Sequence, residues 1–97
     1  MKISKQLYKE DSQIDFIIVN ETVYINATKI EWVLKETLTK NVKLGEIKRN
    51  HITSNYGNFD ATVSSVGTVI YSTIERDEIL LLESNGVSIP YLSYVEG

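Results

Sequence analysis

No uninterrupted apolar run in this chain is longer than four residues; the longest stand at 16–19 (Phe-Ile-Ile-Val) and 79–82 (Ile-Leu-Leu-Leu). Such runs fall far short of the about twenty apolar residues that a membrane-spanning helix needs. They suit buried β-strands, which typically run about four to eight residues. The core must therefore be assembled from several short segments brought together in space. With 97 residues, 42% hydrophobic and 24% charged, the chain has the size and composition of a single globular domain, residues 1–97. A domain of this size buries roughly 60–65% of the surface that the unfolded chain exposes. That is enough for one core, without a deep substrate cleft.

The chain has no cysteine, so it has neither a disulfide nor a thiolate for catalysis or metal binding. Small secreted domains are often disulfide-stapled, so this composition favours a reducing compartment. The opening stretch, Met1-Lys2-Ile3-Ser4-Lys5-Gln6-Leu7-Tyr8-Lys9, lacks the apolar core of a signal peptide. Asn20-Glu21-Thr22 and Asn26-Ala27-Thr28 fit the glycosylation pattern but read as coincidental without a secretory signal. The expected location is the cytoplasm, with no membrane partner.

Residues 14–19 are an apolar, β-branched stretch that reads as a buried strand. Asn20-Glu21 offers a turn and Val23-Tyr24-Ile25 a second strand, which together make an N-terminal hairpin. A helix is expected next. Thr28 is placed to cap it, and Glu31, three residues on, completes a capping box. Ile30, Val33, Leu34, Thr37 and Leu38 share one face at helical spacing, while Lys29, Glu36 and Lys40 lie opposite. This predicts one main amphipathic helix over residues 29–40. Val42, Leu44 and Ile47 allow a short second helix over 41–50, at a cost of about 1 kcal/mol for the internal Gly45. Residues 50–60 have loop composition, and 62–66 and 68–73 read as strands around Gly67. Ser72 and Glu75 allow a helix through 79–83. Asn85-Gly86 between two apolar runs signals a hairpin of 78–84 with 87–94, the preferred reading, with Pro90 in an edge position. The expected fold is thus a small α+β domain with C-terminal antiparallel strands.

Charge is unevenly distributed along the chain. Residues 29–51 carry Lys29, Lys35, Lys40, Lys43, Lys48 and Arg49 against Glu31, Glu36 and Glu46, a net of +3. Residues 52–97 carry Arg76 alone against Asp60, Glu75, Asp77, Glu78, Glu83 and Glu96, a net of −5. The basic middle reads either as a solvated helix face or as a binding surface. His51 is the only histidine, so no histidine cluster can hold zinc. It reads as a surface residue or a phosphate contact. No serine sits in a nucleophile elbow, Asp77 and Glu78 diverge on either a strand or a helix, and no phosphate- or calcium-binding loop is present. No cofactor, metal site or catalytic residue is therefore assigned, and the chain reads as non-enzymatic. The aromatics are more suggestive. Trp32 lies off the apolar face of the expected helix, Tyr56 and Phe59 lie in the loop, and Tyr91 and Tyr94 flank Leu92 near the C-terminus. All five are candidate protein-binding anchors.

Val23-Tyr24-Ile25-Asn26-Ala27-Thr28-Lys29-Ile30 resembles the opening of the KilA-N domain, a DNA-binding module of phage and large DNA-virus antirepressor-type proteins. In that family a strand ending in an Asn-Ala-Thr step leads into a helix. The resemblance spans about residues 14–50 and does not extend to the acidic C-terminal half. It implies Lys35, Lys40, Lys43, Lys48 and Arg49 as phosphate contacts, with His51 beside them.

Two functions follow as expectations. The first is a protein-binding module, such as a phage-type accessory protein that inhibits a host or rival factor. It draws on the small size, the acidic balance and the tyrosines. The second is a nucleic-acid-binding regulator using residues 29–51, acting alone or as a homodimer that doubles the patch. The overall charge of −3 weighs against the second, because duplex binding depends on neutralising phosphates.

Overall fold

A computed structural model describes residues 14–94. The opening nine residues read above lie outside the described part. The elements in chain order are β1 (Phe16–Val19), β2 (Thr22–Asn26), α1 (Glu31–Leu34), β3 (Lys40–Glu46), β4 (Val69–Thr73), β5 (Ile79–Ser84) and β6 (Val87–Ser93). All six strands form one antiparallel sheet in the order β1-β2-β6-β5-β4-β3. The sheet curls into a half-barrel, and the fold is mostly β. The expected α+β class with a main helix is overturned. Among the described residues, no helix is long and apolar enough to cross a membrane.

Both expected hairpins form. Asn20 and Glu21 have φ of 49° and 65°, and Asn85 and Gly86 have 52° and 78°. Positive φ at both central residues is the signature of a type I′ turn, whose twist matches that of the flanking strands. The helix is where expectation fails. Residues 29–40 give a single turn, Glu31–Leu34, capped by the backbone of Ile30 without a side-chain bond. The Thr28 hydroxyl donates to Asn26 Oδ1 at 2.7 Å, and the Thr28 amide donates to the same atom at 2.9 Å. Thr28 therefore closes a turn on Asn26 instead of capping a helix. Only Val33 of α1 is buried, and Leu34 is 57% exposed. A helix with so little packing has too little to hold it. Further on, the Glu75 carboxylate accepts from the Thr39 amide at 2.7 Å and from its hydroxyl at 2.8 Å. This draws the chain into β3, so the segment that allowed a short second helix is a strand.

Two further readings are corrected. Residues 62–66 are not a strand, and the strand of the threonine-rich region is Val69–Thr73. Pro90 lies not at an edge but in β6, between β2 and β5. It is tolerated because β2 ends at Asn26, opposite Tyr91. The Pro90 carbonyl accepts from the Ala27 amide at 2.9 Å. A strand residue's N and O point the same way, so the missing N–H faces the place where β2 leaves the sheet.

The two edges of the sheet are stitched together by residues 47–62. On one side this segment runs antiparallel to β1: Phe59 donates to Ile18 O at 2.7 Å, Ile18 to Asp60 O at 3.0 Å, and Thr62 to Phe16 O at 3.1 Å. On the other side its residues 59–61 run parallel to its own residues 48–49, which continue β3. There Lys48 donates to Phe59 O and Ala61 to Arg49 O, both at 2.9 Å. The interior holds Ile17, Val19, Ile47, Ala61, Ile70, Leu80, Leu82 and Tyr91. The alternate residues of β1, Phe16 and Ile18, face outward onto Val23 and Tyr56 in a second cluster. Period-two alternation over two covered faces explains why β1 is apolar at every position.

Candidate functional site

Among the described residues, β3 pairs with β4 alone and ends the strand order, which leaves its other edge open up to the stitched segment. Its register against β4 shifts twice, between Lys40 and Lys43 and again between Lys43 and Gly45. These irregularities lift the strand from the core. Val42 is 55% and Leu44 38% exposed. The Val42 amide still donates to Ser72 Oγ at 3.1 Å. Gly45 is required where it stands, since a Cβ there would meet Phe59 Cζ at 2.7 Å. The Phe59 ring packs against the interior over that glycine.

Beside β3, the stitched segment is held by a buried carboxylate. Asp60 accepts from the Arg49 guanidinium through both oxygens, and from the Gly57 amide at 2.7 Å. Burial pushes the Asp60 carboxyl up. The Arg49 hydrogen bond, the Gly57 amide and the Arg49 charge outweigh that push, so it lies below its ordinary value. Arg49 also donates to Asn55 O at 3.3 Å. Three residues of the segment, His51, Asn55 and Phe59, have positive φ, a conformation that costs side-chain-bearing residues energy and needs such anchoring.

The structure places Lys40, Lys43, Lys48, Arg49 and His51 on β3 and the segment after it, and leaves Lys35 apart, just past the end of α1. Most of these cations are already answered. Lys35 pairs with Glu31 at 3.0 Å, Lys40 with Glu83, Lys43 with Glu46 at 3.0 Å, and Arg49 with Asp60. The hydrogen bond to Glu83 raises the Lys40 ammonium above its ordinary value, while Lys40 in turn lowers Glu83. Lys48 lies over the Phe59 ring at 5.3 Å, and His51 is exposed.

The proposed aromatic anchors do not converge. Tyr56, a candidate anchor in the expected loop, is buried against Phe16 with ring centroids 5.2 Å apart. Tyr91 is buried, and Phe59 and Tyr94 are half-buried. Trp32 alone is exposed, with the Arg76 guanidinium 5.5 Å above its ring. Tyr91 serves a partly buried polar network. Its hydroxyl donates to Asp15 Oδ1 at 2.8 Å and lies 2.9 Å from Ser64 Oγ, and Asn26 donates to Asp15 Oδ2 at 2.9 Å. Burial pushes the Tyr91 phenol well up, opposed by the Ser64 hydrogen bond and reinforced by Asp15.

Sequence reading missed Val42 and Leu44 as surface residues, because their spacing with Ile47 allowed a short helix. The local signal against that helix was the β-branched Thr37, Thr39 and Val42 around residue 40. Among the described residues, no three His, Asp or Glu side chains gather as a metal site. The chain matches no protein family, no curated protein and no solved structure.

Proposed function

We propose that this chain is a small non-enzymatic protein-binding module of the accessory type, and that an extended segment of its partner adds to the open edge of β3. The observation that supports this is Val42 and Leu44, two exposed apolar side chains on a strand with one edge unpaired among the described residues. Main-chain bonds to such an edge provide affinity, and apolar side chains on it provide selectivity. Nucleic-acid binding through Lys40, Lys43, Lys48, Arg49 and His51 is the second reading, favoured by their gathering along one stretch. The ion pairs of Lys40, Lys43 and Arg49 weigh against it, because phosphates would compete with carboxylates already in place.

The test is capture from the source lysate by the tagged chain and by Val42→Asp/Leu44→Asp. We expect a protein that survives nuclease and high salt with the wild type and is lost with the double variant. Capture abolished by nuclease, or untouched by the double variant, would reject β3 as a protein-docking edge.

A further inference from the structure

We infer that the occupant of the β3 edge is a second copy of this chain, paired antiparallel through Lys40–Glu46 about a two-fold axis at Lys43. The inference rests on the reading of β3 as a docking edge. When the segment Lys-Asn-Val-Lys-Leu-Gly-Glu is laid antiparallel on itself about Lys43, Lys40 faces Glu46 of the second copy and Val42 faces its Leu44. Asn41 faces Gly45. Two-fold symmetry makes each of these contacts twice.

No neighbouring register does this. Centred on Val42, the pairing sets Lys40 against Leu44. Centred on Leu44, it sets Val42 against Glu46 and Lys40 against Lys48. Opposite charges and apolar pairs directly across a ladder stabilise it, and like charges destabilise it. The one like pair, Lys43 on its own mate, is eased because each Lys43 already holds Glu46 of its own chain at 3.0 Å. With Glu83 beside Lys40, the lysines and glutamates at the contact balance to zero net charge.

Lysines and bulges usually protect a sheet edge against pairing. Here Lys40 is matched by Glu46 at the mirrored position, which turns protection into selection for one register. The two register shifts limit the regular ladder to a few residues, so the contact is small and the association weak, with a Kd on the order of 100 μM.

The chain has no cysteine, so one introduced thiol reports its neighbour without ambiguity. Facing residues of an antiparallel pair have Cα atoms about 4.5 or 5.5 Å apart, within disulfide range. Under mild oxidation at about 100 μM, Lys43→Cys should form a disulfide dimer at least tenfold faster than Val63→Cys, whose side chain is also exposed. Val42→Cys mixed with Leu44→Cys should cross-link to each other in preference to themselves. Sedimentation of the wild type should show a reversible dimer that Val42→Asp/Leu44→Asp abolishes, with the circular dichroism of the monomer unchanged.

Lys43→Cys cross-linking no faster than the Val63→Cys control, or a dimer indifferent to Val42→Asp/Leu44→Asp, would overturn self-pairing at β3. A chain that stays monomeric while the same double variant abolishes capture from lysate would also reject the second copy. It would, however, leave β3 as a docking edge for another protein. Loss of neither self-association nor capture would reject both.

Discussion

Glu21 carries φ of 65° in the β1–β2 turn, where a side chain costs about 1–2 kcal/mol. Glycine avoids that cost but gives back part of the gain through its greater freedom when unfolded. Glu21→Gly should therefore stabilise the chain by about 0.5–1 kcal/mol, read as a higher midpoint in urea. Gly45 is the opposite case. A methyl group there would press on the Phe59 ring, the 2.7 Å approach being to Cζ. Phe59 is held by main-chain bonds to Ile18 and Lys48 and has little room to retreat. Gly45→Ala should cost about 1–3 kcal/mol, measured by thermal or urea unfolding. A cost near zero would mean that the ring is free to move. The glycine that looked like a defect in a helix is thus a packing requirement in a strand.

Among the elements, the hairpins were legible because their signals are local. Asn-Gly and, less clearly, Asn-Glu specify backbone signs within two residues, and the apolar runs on either side need only each other. The region 29–46 was not legible. Its apolar spacing fits a helix, but helix and strand there differ by little locally, and the decision belongs to distant groups. Asn26 takes the Thr28 hydroxyl away from the helix start, and Glu75 takes Thr39 at its end. Glu75 lies 36 residues from Thr39, and nothing in the intervening sequence announces the pairing. Its two hydrogen bonds hold the Glu75 carboxyl below its ordinary value. Glu75→Ala should loosen the start of β3, seen as at least tenfold faster amide exchange at residues 39–42 with little change in β5 and β6. Unchanged exchange would assign the start of β3 to its pairing with β4 alone. The candidate site shared this fate. Its basic members were legible from composition, but Val42 and Leu44 became surface residues only once the segment was a strand at an edge.

At the scale of the whole molecule, the half-barrel is held shut by residues 47–62, and Asp60 is its buried anchor. Its carboxyl lies below the ordinary value of 3.8 in the folded chain. The stabilisation it supplies is therefore complete above that value and is lost as pH falls through the lower, folded one. Asp60→Asn should cost about 1–3 kcal/mol at pH 7. Its unfolding free energy should approach that of the wild type as pH drops below about 4. Parallel pH profiles for the two chains would show that Asp60 does not govern the acid response. What the sequence determined by itself was a small, cysteine-free chain of short apolar segments, two tight hairpins and a basic middle. These are properties of composition and of neighbours within a few residues. Only the tertiary structure decided that the amphipathic stretch becomes a turn and a strand, that the polar loop becomes the seam of a half-barrel, and that Tyr56 and Tyr91 are interior. Each of those outcomes depends on hydrogen bonds and burial between groups far apart in sequence, whose free energy outweighs local preferences worth only a few tenths of a kcal/mol per residue.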